Sequence, residues 1–101
     1  MQTNGAPLSP ADARLRIQRI LESGLTLLSD HAVEELEADD MDMNDVRNIL
    51  RGGVVQPAEW EGGEWRYPVK TPRMGCVVSF DSENNLTIVT GWREKYDRGK
   101  A

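Results

Sequence analysis

The sequence predicts an α+β domain, with two to three N-terminal helices packed on an antiparallel sheet of three to four strands. Two observations carry this prediction. Apolar residues recur at helical spacing up to about residue 50, and from about residue 54 they alternate with polar residues. Capping residues and glycines also mark the positions at which the helices should begin and end. Helices followed by an antiparallel meander are typical of a two-layer α+β fold.

Each predicted helix has a capping residue before it and a breaker after it. The three spans run from Ser9 to Gly24, from Ser29 or Asp30 to Asp39-Asp40, and from Asp42 to Gly52-Gly53. The predicted strands cover residues 54–55, 64–70, 76–80 and 86–92. Residues 25–28 are expected to form a short extended or turn-like link between the first two helices.

The chain has 101 residues, a formal net charge of −5, 39% apolar residues and 29% charged residues. This length suits one domain, and a disordered chain has fewer apolar residues and more net charge. We expect a flexible N-terminus over residues 1–8 and a single domain over residues 9–101. The apolar runs are shorter than the roughly 20 residues of a membrane span, and no signal-peptide pattern begins the chain. A cytoplasmic protein without a membrane partner is therefore expected.

The net charge is unevenly distributed along the chain. Residues 1–53 carry a net charge of −5, and eight carboxylates with no Lys or Arg lie between Asp30 and Asp45. From Trp65 onward the net charge is +3. The total charge argues against a uniformly basic nucleic-acid binder, but the local charge is what a substrate would meet.

Neither the cysteine nor the acidic stretch predicts a metal or a cofactor. Cys76 is the only cysteine and lies in the apolar run of residues 75–80, which is typical of a buried strand position. The acidic stretch offers oxygen ligands but lacks the EF-hand pattern, and Asp42 and Asp45 are explained as helix caps. We therefore expect no bound metal and no cofactor.

His31, the only histidine, lies in the first turn of the second predicted helix. The positive end of the helix dipole favours a neutral imidazole there, which could serve as a general base. The alternative is that His31 only forms hydrogen bonds with the backbone near the helix start.

Cationic and aromatic side chains are interleaved in the second half of the chain. The cations are Arg66, Lys70, Arg73, Arg93, Lys95 and Arg98, and the aromatic residues are Trp65, Tyr67, Trp92 and Tyr96. The cations form two groups, one at residues 66–73 and one at residues 93–98. If the strands that carry them are neighbours, both groups converge at one edge of the sheet. Guanidinium groups bind phosphate, and aromatic rings stack on unpaired RNA bases. The alternative is that the aromatic residues belong to the core and the cations protect a solvated sheet edge.

Short motifs spread over residues 26–93 resemble a small bacterial domain family of undefined function with an S-x-H-A helix start. They are Leu28-Ser29-Asp30-His31-Ala32, Asp45-Val46 with Ile49-Leu50, Gly53-Val54-Val55, Trp65-Arg66-Tyr67, and the runs at 76–80 and 86–92. This family is similar in build to the RelE and MqsR group of toxin ribonucleases, in which helices pack on an antiparallel sheet. The resemblance implies a RelE-like fold, metal-independent RNA cleavage and neutralisation by an antitoxin protein.

The resemblance assigns only some of the candidate residues. His31 corresponds to the motif histidine, and Tyr67 and Trp92 lie at aromatic strand positions of the family. The cations Arg66, Arg73 and Arg93 are candidates on physical grounds alone. The sequence departs from the family after the His-Ala pair, because relatives often carry basic residues there and this chain carries Glu34, Glu35 and Glu37.

We therefore expect a toxin of a toxin-antitoxin system that cleaves mRNA without a metal, with ribosome dependence left open. A ribose 2′-hydroxyl would attack the adjacent phosphorus while His31 or Tyr67 handles the proton. The phosphorane would be stabilised by Arg66, Arg73 or Arg93. The RNA-binding candidates are Lys70, Trp92, Lys95 and Tyr96.

The alternative function is a non-catalytic interaction module whose acidic helices bind a basic partner. The partner-binding candidates are Glu34, Glu35, Glu37 and Asp39. Both functions can coexist, because the acidic face could bind the antitoxin while the sheet edge binds RNA.

Overall fold

The three helices begin at the predicted capping residues in the computed structural model, which describes residues 6–94. The helices are α1 (Pro10–Ser23), α2 (Asp30–Ala38) and α3 (Met43–Gly52). The strands are β1 (Leu25–Leu28), β2 (Val54–Val55), β3 (Glu59–Glu61), β4 (Glu64–Lys70), β5 (Met74–Phe80) and β6 (Asn85–Arg93). The α+β class is confirmed. The candidates Lys95 and Tyr96 lie outside the described residues, as does Arg98.

Side chains cap all three helices. Ser9 accepts a hydrogen bond from the Asp12 backbone N–H at 3.1 Å, and Ser29 caps α2 in the same way. At α3, Asp42 and Asp45 form a reciprocal capping box. Such caps satisfy backbone N–H groups that have no partner within the helix, which is why these polar residues mark the helix starts so clearly.

The sheet is wider than predicted and is mixed rather than purely antiparallel. Within residues 6–94 it has six strands in the order β1-β6-β5-β4-β2, with β3 paired to β4. The link at residues 25–28 is strand β1, which runs parallel to β6 with Leu25 opposite Asn85 and Leu28 opposite Ile88. This segment is a strand because it pairs with β6, which is distant in sequence. Its four residues show no regular alternation of apolar and polar types that would predict a strand locally.

Strand β3 is the second addition to the predicted sheet. It forms a hairpin with β4, in which Trp60 lies opposite Trp65. The hairpin turn consists of Gly62 and Gly63, whose φ angles of 63° and 79° are readily adopted only by glycine. Two-residue turns of this kind match the right-handed twist of the paired strands.

The core lies between the three helices and one face of the sheet, which we call the helix face. Side chains alternate along a strand, so the core residues of β4, β5 and β6 all point to this face. They are Tyr67, Val69, Cys76, Val78, Leu86 and Ile88, and they pack with the buried helical residues Ile17, Ile20, Leu36, Ile49 and Leu50. The intervening strand residues lie on the opposite side, which we call the open face.

No helix within residues 6–94 has the length and apolar character needed to cross a membrane.

Two adjacent glycines at the end of α3 should respond oppositely to alanine. A Cβ atom at Gly52 would have no neighbour within 4 Å, so Gly52→Ala should stabilise the fold by about 0.5–1 kcal/mol through reduced backbone entropy of the unfolded chain. A Cβ atom at Gly53 would lie 2.6 Å from the Ile49 carbonyl oxygen and 3.1 Å from that of Lys70. Gly53→Ala should therefore destabilise by about 1–3 kcal/mol. Urea unfolding measures both, and equal effects would contradict this packing.

Candidate functional site

His31 lies on the surface of α2. Its side chain is 62% exposed, and its Nε2 atom lies 3.9 Å from a carboxylate oxygen of Glu35, one helical turn later. Helix α2 packs on the sheet through Ala32 and Leu36, which are buried. The imidazole is therefore open to solvent and to a ligand, and Glu35 is the acidic group beside it.

Strand alternation divides the other candidates between the two faces of the sheet. Arg66 and Lys70 lie on the open face, because they alternate with the core residues Tyr67 and Val69. Trp92 lies there because a β-bulge opposite Val77 and Val78 adds one residue to β6, which puts Trp92 opposite Gly75. Tyr67 lies on the helix face, as does Arg93, which contacts the connection between α2 and α3. The five catalytic candidates therefore do not form one cluster.

Tyr67 is a core residue with a hydrogen-bonded hydroxyl. Its side chain is almost fully buried, and its ring centroid lies 5.2 Å from that of Phe80. The phenolic oxygen accepts a hydrogen bond from the Leu8 backbone N–H at 2.8 Å. Tyr67 thereby fixes the chain entering α1 against the sheet.

Arg66 binds acidic side chains of the β3–β4 hairpin. Its Nε atom donates to Glu64 at 3.0 Å, and one terminal nitrogen lies 3.9 Å from Glu61. These contacts hold the guanidinium beside the hairpin and partly neutralise it.

Arg93 holds the connection between α2 and α3 against the end of β6. Its backbone N–H donates to the Asp39 carboxylate at 2.7 Å, and its guanidinium donates to the Asp40 carbonyl at 3.1 Å. A guanidinium nitrogen also lies 3.8 Å from the Asp45 carboxylate. Asp40 has a φ of 57°, an uncommon conformation for a residue with a side chain, and Arg93 stabilises it.

Lys70, Gly75 and Trp92 lie side by side on the open face, because register pairs Lys70 with Gly75 and Gly75 with Trp92. We call these three residues, together with Arg73, the basic–aromatic row. The indole of Trp92 lies across Gly75, where a Cβ atom would collide with the ring. A hydrogen bond of 2.8 Å from Trp92 Nε1 to the Glu94 carboxylate orients the ring further.

Arg73 lies in the turn between β4 and β5, at the same end of the sheet as Lys70 and Trp92. Thr71 holds this turn, since its hydroxyl oxygen accepts from the backbone N–H groups of Arg73 and Met74 at 3.2 and 2.9 Å. The turn is also joined to the end of β6 by a 2.7 Å bond from the Glu94 N–H to the Arg73 carbonyl. Within residues 6–94 the Arg73 guanidinium has no hydrogen-bond or ion-pair partner, so it is available to a ligand.

The structure thus brings together Lys70, Arg73 and Trp92, and places His31 on the other layer. Arg66 lies four residues before Lys70 on the same strand, which corresponds to about 13 Å. Sequence reasoning missed Gly75, which leaves room for the indole, and Glu94, which orients it. The cross-strand register reveals the role of Gly75, whereas Glu94 contacts Trp92 from two residues further along the chain.

The acidic candidates differ in their surroundings. Glu34 and Glu37 are exposed on α2, and Glu35 lies beside His31. Asp39 instead binds the backbone of Arg93 and belongs to the connection that holds α2 on β6. Glu34 and Glu37 are therefore the carboxylates of this set that a partner would meet most directly.

In the part of the chain that the structure describes, no three His, Cys, Asp or Glu side chains come together as metal ligands. Cys76 is fully buried, as predicted, and its burial raises the pKa of the thiol from 9.0 to about 12. A thiol in this environment stays protonated at neutral pH and is a poor nucleophile.

Comparison with known proteins finds no match to a family model, to a curated protein or to a solved structure. The described residues form an α+β domain with a helix-covered face and a basic–aromatic row on the open face.

The buried thiol predicts a loss of stability at high pH. The folded protein keeps Cys76 protonated up to a pKa of about 12, whereas the unfolded chain ionises near 9.0. The protonated Cys76 thiol contributes to the free energy of unfolding, and this contribution is fully present below pH 9. It is lost between pH 9 and 12, by about 1.4 kcal/mol per pH unit.

The measurement is the free energy of unfolding in urea at pH 8 and pH 10, for the wild type and Cys76→Ala. The variant controls for the other groups that titrate between these pH values. Because only the wild type carries the thiol, the wild type should lose more stability than the variant. Equal losses in the two proteins would show that Cys76 ionises as easily in the folded state as in the unfolded state.

Proposed function

We propose that this chain binds single-stranded RNA through the basic–aromatic row and cleaves it without a metal, as the toxin of a toxin-antitoxin pair. The observation that supports RNA binding is the Trp92 indole lying across Gly75 beside Lys70 on the open face. A partly exposed aromatic ring next to cations suits a stacked base with flanking phosphates. The motif histidine and the resemblance to the RelE and MqsR group support the cleavage step.

The local charge of the row agrees with this proposal. Lys70 and Arg73 are exposed cations, and neither has an ion-pair partner within residues 6–94. Glu94 is an acidic neighbour of the row, and its carboxylate accepts the Trp92 N–H. Phosphate groups can therefore approach the row although the whole chain carries a net charge of −5.

In the proposed reaction, the ribose 2′-oxygen attacks the neighbouring phosphorus and the bond to the 5′-oxygen breaks. A base takes the 2′-hydroxyl proton, and an acid gives a proton to the leaving oxygen. Arg73 is the candidate for stabilising the phosphorane, because Arg66 and Arg93 bind protein groups. His31 is the remaining candidate for proton transfer, because Tyr67 is buried and bonded to Leu8. Since His31 lies on the helix layer and Arg73 lies with the row, this mechanism requires RNA binding to bring the two side chains to one phosphodiester.

The proposed toxin fold is RelE-like in its layering, with helices on one face of the sheet. The parallel strand β1 is a departure from the antiparallel sheet of that group. It lies at the edge beside β6, whereas the row lies on β4, β5 and β6, so the departure leaves the proposed RNA surface unchanged.

Removing the row should weaken RNA binding selectively. The triple variant Lys70→Ala, Arg73→Ala, Trp92→Ala loses two cations and a stacking ring, and should bind single-stranded RNA at least about tenfold more weakly. The matched control is Arg19→Ala, Arg47→Ala, Trp60→Ala, which removes two cations and a tryptophan from other exposed positions. Fluorescence anisotropy with a labelled oligonucleotide measures both. An equal loss of affinity in the control variant would show that RNA binds at another surface.

Cleavage is tested separately from binding. Expression of the wild type should arrest growth and shorten cellular mRNA, and purified protein should cut RNA in the presence of EDTA. His31→Ala should retain binding but cut at least about a hundredfold more slowly, which is the typical contribution of a general acid or base. Undiminished cleavage by His31→Ala would exclude His31 from the mechanism. Intact RNA with the wild type, on and off the ribosome, would refute the ribonuclease function.

The second candidate function is a non-catalytic module that binds a basic partner through α2. Exposed Glu34 and Glu37 favour it, since neither contributes to the core. The cleavage experiment discriminates between the two functions, because a non-catalytic module arrests no growth and cuts no RNA.

A further inference from the structure

A cavity of about 270 Å³ opens on the helix face, far from the row, between α1, the segment before it, the start of β4 and the end of β5. Its walls combine an apolar part and a polar part. The apolar part comes from Leu8, Trp65 and Phe80, and the polar part from Arg16, Glu64 and Tyr67.

Arg16 brings to this cavity a positive charge that forms no ion pair among the described residues. Its guanidinium carbon lies 5.3 Å from the centroid of the Phe80 ring, a cation–π contact that holds the group in place. Within residues 6–94 no carboxylate forms an ion pair with Arg16. Glu64 also lines the cavity, but its carboxylate accepts a hydrogen bond of 3.0 Å from Arg66.

Two further donors at the cavity also have no acceptor. The Tyr67 oxygen accepts the Leu8 N–H, so its own O–H remains to donate, and it has no acceptor among the described residues. The indole N–H of Trp65 is buried and has no hydrogen-bond partner within residues 6–94. Buried donors without acceptors are rare in folded proteins, and both of these residues line the cavity together with Arg16.

We propose that this cavity binds a small organic anion, namely a carboxylate or phosphate group carried on a planar apolar body. The anionic oxygens accept hydrogen bonds from Arg16 and Tyr67, and the planar body packs against Phe80, Trp65 and Leu8. The volume is somewhat below the roughly 300–1,000 Å³ typical of sites for drug-sized ligands, so a single-ring acid fits best. The site does not rest on the proposed ribonuclease function, since the RNA surface is on the other face.

Isothermal titration of the full chain with benzoate and with phenyl phosphate tests this assignment, and benzamide serves as the uncharged probe. At least one anion should bind saturably, and benzamide should bind at least about tenfold more weakly than that anion, because a charge-assisted hydrogen bond is lost. Binding of benzoate alone identifies a carboxylate site, and binding of phenyl phosphate alone identifies a phosphate ester site.

The residues are tested with Arg16→Gln and with Arg19→Gln, which removes an exposed arginine from the same helix. Arg16→Gln should weaken anion binding at least about tenfold, and Arg19→Gln should leave it unchanged. If Arg16→Gln fails to fold, Tyr67→Phe and the shift of the Trp65 indole N–H resonance on titration supply the same information. Absence of saturable binding, equal binding of benzamide, or equal loss in Arg19→Gln would overturn the proposal.

Discussion

Ser29 is the residue on which the joint arrangement of helices and sheet depends. Its backbone N–H donates to the Ile88 carbonyl at 3.0 Å, its hydroxyl donates to the Val89 carbonyl at 2.9 Å, and its oxygen accepts the Ala32 N–H at 2.9 Å. One residue therefore ends β1, begins α2 and attaches both to the middle of β6. The direction of α2 follows from it, and with that direction the position of His31.

The second constraint is the two-residue period of the strands. Neighbouring candidates such as Arg66 and Tyr67, or Trp92 and Arg93, are adjacent in sequence yet lie on opposite faces of the sheet. Sequence proximity therefore does not show which side chains share a face, whereas cross-strand register does. Register places Lys70 beside Trp92 although 22 positions separate them in the chain.

The arginines show how much a residue's role depends on its tertiary surroundings. Arg14 donates to the carbonyl oxygens of Arg51 and Gly53 at the end of α3, and Arg93 holds the connection before α3. Both serve to join elements. Arg16 and Arg73 have no such partner among the described residues, so their charge remains for ligands. The presence of a carbonyl or carboxylate acceptor within reach, and not the arginine itself, decides between these roles.

The sequence by itself determined the three helices, the strands β4 to β6 and the burial of Cys76, because caps and hydrophobic period are local signals. Strand β1 required a partner about 60 residues away, and β3 required a glycine turn and a neighbouring strand, so local pattern could not predict their pairing. For the site, the sequence supplied the residue types, including Lys70, Arg73 and Trp92. Only the tertiary structure decided which of them meet, since hydrogen-bond register and the two faces of a sheet exist only between strands that are already paired.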